Sequence, residues 1–123
     1  MEPPLLEELM GYPTGTDADA SERTARQEAA ASLFEQATAA YRAGDYTRAA
    51  REFMRASEPL LQGKDAPAWE AMAYNRRVCY ANAWSAWKMA GESEQGRAAL
   101  QAAQDRDTLN SPQLQELLDA THR

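Results

Sequence analysis

The chain has 123 residues, of which 26 are alanine, one is valine and none is isoleucine. So few β-branched residues argue against a β-sheet, and the abundance of Ala, Glu, Gln, Arg and Leu predicts an all-α fold. Most of the net charge of -6 resides in residues 1–20, which hold five acids and no base. The remaining residues hold 14 acids and 13 bases without a basic cluster, so nucleic acid is not an expected partner.

Residues 1–20 are predicted to form an acidic, largely disordered tail, because prolines and glycines alternate there with acids. Within the tail, residues 5–10 read LLEELM, a pattern that permits one helical turn. Two interpretations of this turn stay open. It is either a transient helix in a disordered arm or an amphipathic segment that docks into a groove of this protein or of a neighbour.

The first two helices are predicted from their start and stop signals. The first runs from about residue 21 to residue 43 and ends at Gly44. Asp45 then caps the second helix, which must end before Pro59, because proline disfavours helical geometry at the preceding residue. The segment between Gly44 and Pro59 therefore completes an antiparallel helical hairpin.

Three further helices follow the same logic. The third is capped at Asp65 and continues to about residue 90, where Gly91 ends it. The fourth covers about residues 92–104, and the last begins at Ser111. Residues 21–123 are thus predicted to form one helical domain of about five helices.

Three tryptophans and an arginine lie on the predicted third helix. Trp69, Trp84 and Trp87 are interpreted as core residues rather than as a ligand cage, because they recur at helical spacing. Arg76 shares the seam of Trp69 and Trp87, and an unpaired buried charge is costly. We therefore expect it to stack on one of these two tryptophans or to reach a carboxylate.

A step of 47 residues relates the two hairpins, and a third, half-length unit falls in register at the last helix. Small residues are matched with small residues and apolar residues with apolar ones. Such self-similarity is typical of repeat architectures, in which neighbouring units bury each other's apolar faces. The matched pairs are Gly44 with Gly91, Ala49 with Gly96, Phe53 with Leu100, and Ala56 with Ala103.

The run Gly44-Asp45-Tyr46, followed by Ala49 and Phe53 and then by Ala56, resembles the inter-helix turn and second-helix core of the tetratricopeptide repeat family. The resemblance covers roughly residues 30–121, or about two and a half repeats. It implies a stack of antiparallel hairpins with a C-terminal capping helix. It also implies a concave surface that holds another protein.

In this family the first helix of each hairpin lines the concave surface. The corresponding residues here combine aromatic side chains with cations, which would suit a peptide or helix with acidic and apolar side chains. The alternative is that these bases are solvated or pair with nearby glutamates. The partner-binding residues that the resemblance implies are Phe34, Thr38, Tyr41, Arg42, Tyr74, Arg77, Val78, Ala81, Ser85 and Lys88.

One specialised branch of the family clamps the acidic C-terminal tails of chaperones with lysine and asparagine. Here Phe34 and Thr38 occupy the corresponding first-helix positions, and only Asn82 resembles a clamp residue. We therefore reject that specificity. Asn82 and Asn75, which lie two turns apart on one seam, are expected to bond backbone or each other.

An enzymatic role is not expected, and neither is a metal or another cofactor. Cys79 is the only cysteine, and the only histidine, His122, is the penultimate residue. Neither a thiol nucleophile with a base nor a metal site can be assembled from them. The sequence also contains no glycine-rich phosphate loop.

The longest apolar stretches are far too short to span a bilayer, and the N-terminus lacks the basic start of a secretory signal. Membrane insertion is therefore not expected. A cytoplasmic location is expected instead. The predicted function is a non-catalytic protein–protein interaction module, an adaptor or scaffold. Two alternatives stay open: a small acidic secretion-type chaperone, and a structural subunit that forms a homodimer.

Overall fold

The computed structural model describes residues 6–9, 18–61 and 70–120. In those ranges the fold is all-α, as predicted, with no strand. The predicted cap at Asp65 and the predicted core residue Trp69 lie outside the described residues. Two short 3₁₀ turns cover Pro59–Leu61 and Thr108–Asn110. The five α-helices are α1 (Ala18–Arg42), α2 (Tyr46–Ser57), α3 (Glu70–Ala90), α4 (Ser93–Arg106) and α5 (Ser111–Ala120).

The turns after α1 and α3 have the same backbone geometry. Gly44 has a φ of 85° and Gly91 a φ of 73°, values that favour glycine because they cost it no steric strain. In each turn the glycine N–H donates to the carbonyl three residues back, and the next N–H donates to the carbonyl five residues back. The bonds run from Gly44 to Tyr41, from Asp45 to Ala40, from Gly91 to Lys88 and from Glu92 to Trp87.

Helix α2 lies between α1 and α3 and packs extensively on both, whereas few described residues of α1 and α3 approach each other directly. The hydroxyl of Thr47 at the start of α2 donates to the carboxylate of Glu92 ahead of α4, so both hairpin turns lie at the same end of the molecule. Many alanines in the shared core allow this close packing. The first core cluster contains Ala37, Ala40, Tyr41, Ala49, Ala50, Phe53, Ala83, Ala86 and Trp87.

A second cluster joins α3 to α4 and α5, and Gly96 allows the close approach. A Cβ atom at Gly96 would lie 2.9 Å from the Trp84 ring and 3.1 Å from Cβ of Trp87. The glycine thus makes room for a large side chain on the facing helix. The cluster contains Tyr80, Trp84, Leu100, Ala103, Leu114 and Leu118.

Gly96→Ala is expected to destabilise the protein by about 1 kcal/mol. Overpacking against a rigid ring costs about 1–3 kcal/mol, which exceeds the roughly 1 kcal/mol that alanine gains in helix propensity. Urea unfolding measures the difference. In a Trp84→Leu background, which removes the ring, the same substitution is expected to be neutral or stabilising. Equal effects in both backgrounds would contradict the packing argument.

A third cluster brings α1, α2 and α3 together at the end of the molecule away from the hairpin turns. It contains Ala30, Ala56, Leu60 and Cys79, and Leu9 packs against it. Burial raises the pKa of the Cys79 thiol to about 12. The thiol is therefore protonated at neutral pH.

Arg76 reaches a carboxylate, which is one of the two outcomes expected from its position. Its Nε donates to Oδ2 of Asp107 at 2.7 Å, and its Nη2 donates to Oδ1 at 3.1 Å. Its Nη1 donates to the carbonyl of Leu60 at 3.1 Å. Both charged side chains are fully buried. This ion pair ties α3 to the end of α4 and to the 3₁₀ turn after α2.

Two more side chains donate to Asp107. The Tyr80 hydroxyl lies 2.9 Å from Oδ2, as does the amide Nδ2 of Asn110, which also donates to the carbonyl of Ala73 at 2.9 Å. Burial by itself would raise the pKa of Asp107, but the bonds from Arg76 and Asn110 and the Arg76 charge outweigh it and lower that pKa. Burial and the Asp107 charge raise the pKa of Tyr80.

Candidate functional site

A cavity of about 1060 Å³ opens beside α1 and the start of α2. All four residues of α1 that the family resemblance implied as partner-binding lie in its wall. The other wall is formed by residues 6–8, which belong to the predicted tail. Among the described residues, the lining consists of Leu6, Glu7, Glu8, Phe34, Glu35, Thr38, Ala39, Tyr41, Arg42 and Tyr46.

The α1 wall of this cavity is held by aromatic packing. The ring of Phe34 packs edge to face against that of Phe53 in α2, with 5.2 Å between the ring centres. The rings of Tyr41 and Tyr46 pack in the same way, also with 5.2 Å between their centres. Burial and the neighbouring Tyr46 raise the pKa of Tyr41. The Thr38 hydroxyl donates to the carbonyl of Phe34 at 2.9 Å. These contacts fix the position of the α1 wall.

Residues 6–9, here called the docked segment, lie across the junction of α1, α2 and α3. The backbone N–H of Glu7 donates to Oδ1 of Asn82 at 2.9 Å, and Nδ2 of Asn82 donates to the Glu7 carbonyl at 3.0 Å. One amide can reach both groups of a single residue only when they point the same way, as in a β-strand. Residues 6–9 therefore do not form the helical turn that their sequence permits.

Two leucines anchor the docked segment on either side of this contact. Leu6 packs on the first core cluster, nearer the hairpin turns, and Leu9 packs on the third cluster, farther from them. The segment thus runs antiparallel to α1 and α3. The side chains of Glu7 and Glu8 between the leucines are exposed. We use the term groove for the strip under residues 6–9 together with the adjoining cavity.

The residues of α3 that were predicted to bind a partner lie outside the cavity lining. Tyr74, Arg77, Ala81, Ser85 and Lys88 form an accessible stripe along α3. The Arg77 guanidinium lies 5.1 Å from the Tyr74 ring centre, and the Lys88 ammonium lies 5.6 Å from that of Trp84. Val78 is only 1% exposed, because it lies one turn before the buried Asn82 rather than in the middle of the stripe.

Asn82 is the residue of this site whose role the sequence analysis did not predict. It was expected to bond backbone, which it does, but the backbone belongs to a segment 75 residues away. Its side chain is almost fully buried beneath that segment. The sequence contained one signal for this role: Asn82 is a polar residue that directly follows Ala81, one of the accessible residues of α3.

Comparison with protein-family models, with curated proteins and with solved structures finds no match for this chain. None of the helices in residues 18–61 and 70–120 combines the length and the apolar character needed to cross a membrane. In the same ranges, no three His, Cys, Asp or Glu side chains are grouped so that they could hold a metal ion. The site must therefore be interpreted from its own geometry.

That geometry is suited to binding an extended polypeptide. A backbone donor and acceptor are paired by Asn82, two apolar side chains are anchored, and the aromatic wall of α1 lies alongside. Arg42 is exposed at the edge of the cavity and shares the lining with Glu7 and Glu8. An acidic segment in the groove would thus lie near a positive charge.

Proposed function

We propose that this protein is a non-catalytic protein-binding module that holds an extended segment of a partner in the groove. The observation that carries this proposal is the pair of bonds between Asn82 and the backbone of Glu7. Every residue except proline offers the same N–H and C=O pair, so this contact recognises any polypeptide in extended form. Recognition of backbone supplies affinity, while pockets for side chains supply specificity.

The stacking of two equivalent hairpins belongs to this proposal, in the manner of tetratricopeptide repeats. Three observations support it: the matching hydrogen bonds of the two turns, the Thr47–Glu92 contact that brings them to one end, and burial at the paired positions. Phe53 and Leu100 are one such pair, and both are fully buried. The groove lies on the side of α2 where residues 6–9 contact both first helices, α1 and α3.

Photo-crosslinking tests the proposed function. A benzoylphenylalanine in place of Ala39, an exposed residue of the groove lining, is expected to crosslink one stretch of a partner protein in extract of the native host. Ala102 is the matched control, because it is also an exposed helical alanine but lies on α4. The crosslinked stretch is mapped by mass spectrometry. A synthetic peptide with its sequence should then compete for the reaction.

The same experiment can contradict the proposal. Labelling of the same proteins from both positions would show non-specific contact rather than a binding groove. A product of twice the chain mass, obtained from position 39 with purified protein, would favour the homodimer instead. A crosslink that the synthetic peptide does not reduce would also count against recognition of an extended segment.

A further inference from the structure

The docked segment covers only part of the groove. Leu6 and Leu9 are half-buried, and the cavity of about 1060 Å³ remains open beside residues 6–8. Asn82 holds the backbone of Glu7, and the exposed side chains of Glu7 and Glu8 line the open cavity. The chain thus contains its own example of what the groove accepts.

We propose that residues 6–9 are a tethered competitor for the partner site, and that the partner supplies an extended segment of the same chemistry. That chemistry is two leucine-like side chains separated by two acidic residues. The inference rests on the proposed function and deepens it, because it names the class of ligand and the way the site is regulated. A partner binds by displacing the docked segment.

The geometry supports a local and reversible competitor. Eight residues separate Leu9 from the start of α1 at Ala18, so the segment stays close to the groove when it is released. Short tethers of this kind give effective concentrations on the order of mM. A free ligand binds only the fraction of molecules with an empty groove, and its apparent affinity falls by that fraction.

Charge complementarity favours an acidic ligand over a basic one. Arg42 is the cation among the described lining residues, and its side chain is exposed beside the cavity that Glu7 and Glu8 also line. A partner segment with the same acidic pair would place two negative charges where Glu7 and Glu8 of the docked segment lie now. The positive charge then favours the encounter and fixes the direction of the bound segment.

Fluorescence anisotropy with the 123-residue chain tests the inference. The probe is a fluorescein-labelled peptide with the sequence of residues 4–11. The double variant Leu6→Ser, Leu9→Ser, in which the docked segment loses both anchors, is expected to bind the probe about ten-fold more tightly than the wild type does. Leu109→Ser is the matched control and should behave like the wild type within about two-fold, because Leu109 is an exposed leucine on the 3₁₀ turn before α5, outside the groove.

Two groove variants in the background of the double variant complete the test. Asn82→Ala is expected to abolish binding of the probe, and circular dichroism checks that the variant is folded. Arg42→Glu changes an exposed residue and should weaken binding several-fold while leaving the melting temperature unchanged. If neither variant weakens binding, the probe binds elsewhere and the inference fails.

The remaining outcomes separate the inference from the proposed function. Equal affinity of the probe for the wild type and the double variant would overturn the competition. A probe that binds neither protein would overturn the assigned ligand chemistry, whereas a competed crosslink from position 39 would still support a binding groove. A concentration-dependent dimer that the two serines dissociate would show that the segment binds a second copy, and it would overturn intramolecular docking.

Discussion

Replacing Asp107 by asparagine is expected to lower the free energy of unfolding by about 3–5 kcal/mol. The substitution keeps the size of the side chain and an acceptor for Tyr80 but leaves the Arg76 charge buried without a counterion. Because small domains have only about 5–15 kcal/mol of stability in total, a single neutralisation should shift the urea midpoint substantially.

Two controls separate burial from charge. The double variant Arg76→Met, Asp107→Asn removes both charges and is expected to be more stable than Asp107→Asn alone. Glu58→Gln breaks the ion pair with Arg106, whose atoms are 3.9 Å apart and whose side chains are more than half exposed. We expect it to cost less than about 1 kcal/mol. Similar losses for Glu58→Gln and Asp107→Asn would contradict the role assigned to the buried pair.

The same pair makes stability depend on acidity. The pKa of Asp107 is lowered in the folded protein, so its carboxylate contributes stability above the unfolded value of about 3.9. That contribution is lost as the pH falls from about 4 through the lower folded value. The free energy of unfolding of the wild type, measured with urea, should therefore fall more steeply with decreasing pH than that of Asp107→Asn over this window. The same pH dependence of the unfolding free energy in both proteins would contradict the role assigned to the Asp107 carboxylate.

The second large effect is expected at Phe53. This residue is fully buried, and its ring packs against Phe34, which lines the groove. Phe53→Ala removes most of a large side chain from a core built mainly of alanines, which have little volume with which to refill the space. The expected loss is about 3–5 kcal/mol in the free energy of unfolding, measured with urea.

Matched substitutions keep this prediction testable. Phe53→Leu retains most of the volume and should cost roughly half as much, so it stays folded even if the alanine variant does not. Met54→Ala affects the next residue of α2, which is only half-buried, and is expected to cost less than Phe53→Ala. Losses of equal size at both positions would show that Phe53 does not organise the core beneath the groove.

The helices were predictable because their ends carry local signals. Gly44 and Gly91 end α1 and α3 with positive φ values, and the Asp45 carboxylate accepts from the N–H of Arg48 at the start of α2. Burial is less local than the ends of helices. Ala25 is exposed, because α1 has 25 residues and α2 only 12, which leaves the start of α1 beyond its neighbour.

The groove was predictable only in part. Helical spacing and the family resemblance predicted that Phe34 and Tyr41 line it, because the side of α1 on which a residue lies follows from local sequence alone. The docking of residues 6–9 depends on Asn82, which is 75 positions away from Glu7 in the sequence. Local preference alone favours a helical turn there. Two hydrogen bonds and two leucine contacts from distant parts of the chain override it.

The buried thiol of Cys79 provides a means of following openings of this protein. Alkylation requires the thiolate, which attacks the reagent and displaces its leaving group. With a pKa of about 12 the native Cys79 side chain is both shielded and un-ionised. Reaction must then await a transient separation of the helices around it. Because the chain has no second cysteine, each adduct detected by mass spectrometry records one such event. Leu9 packs on the same cluster as Cys79, so release of Leu6 and Leu9 should increase the rate at which Cys79 is alkylated.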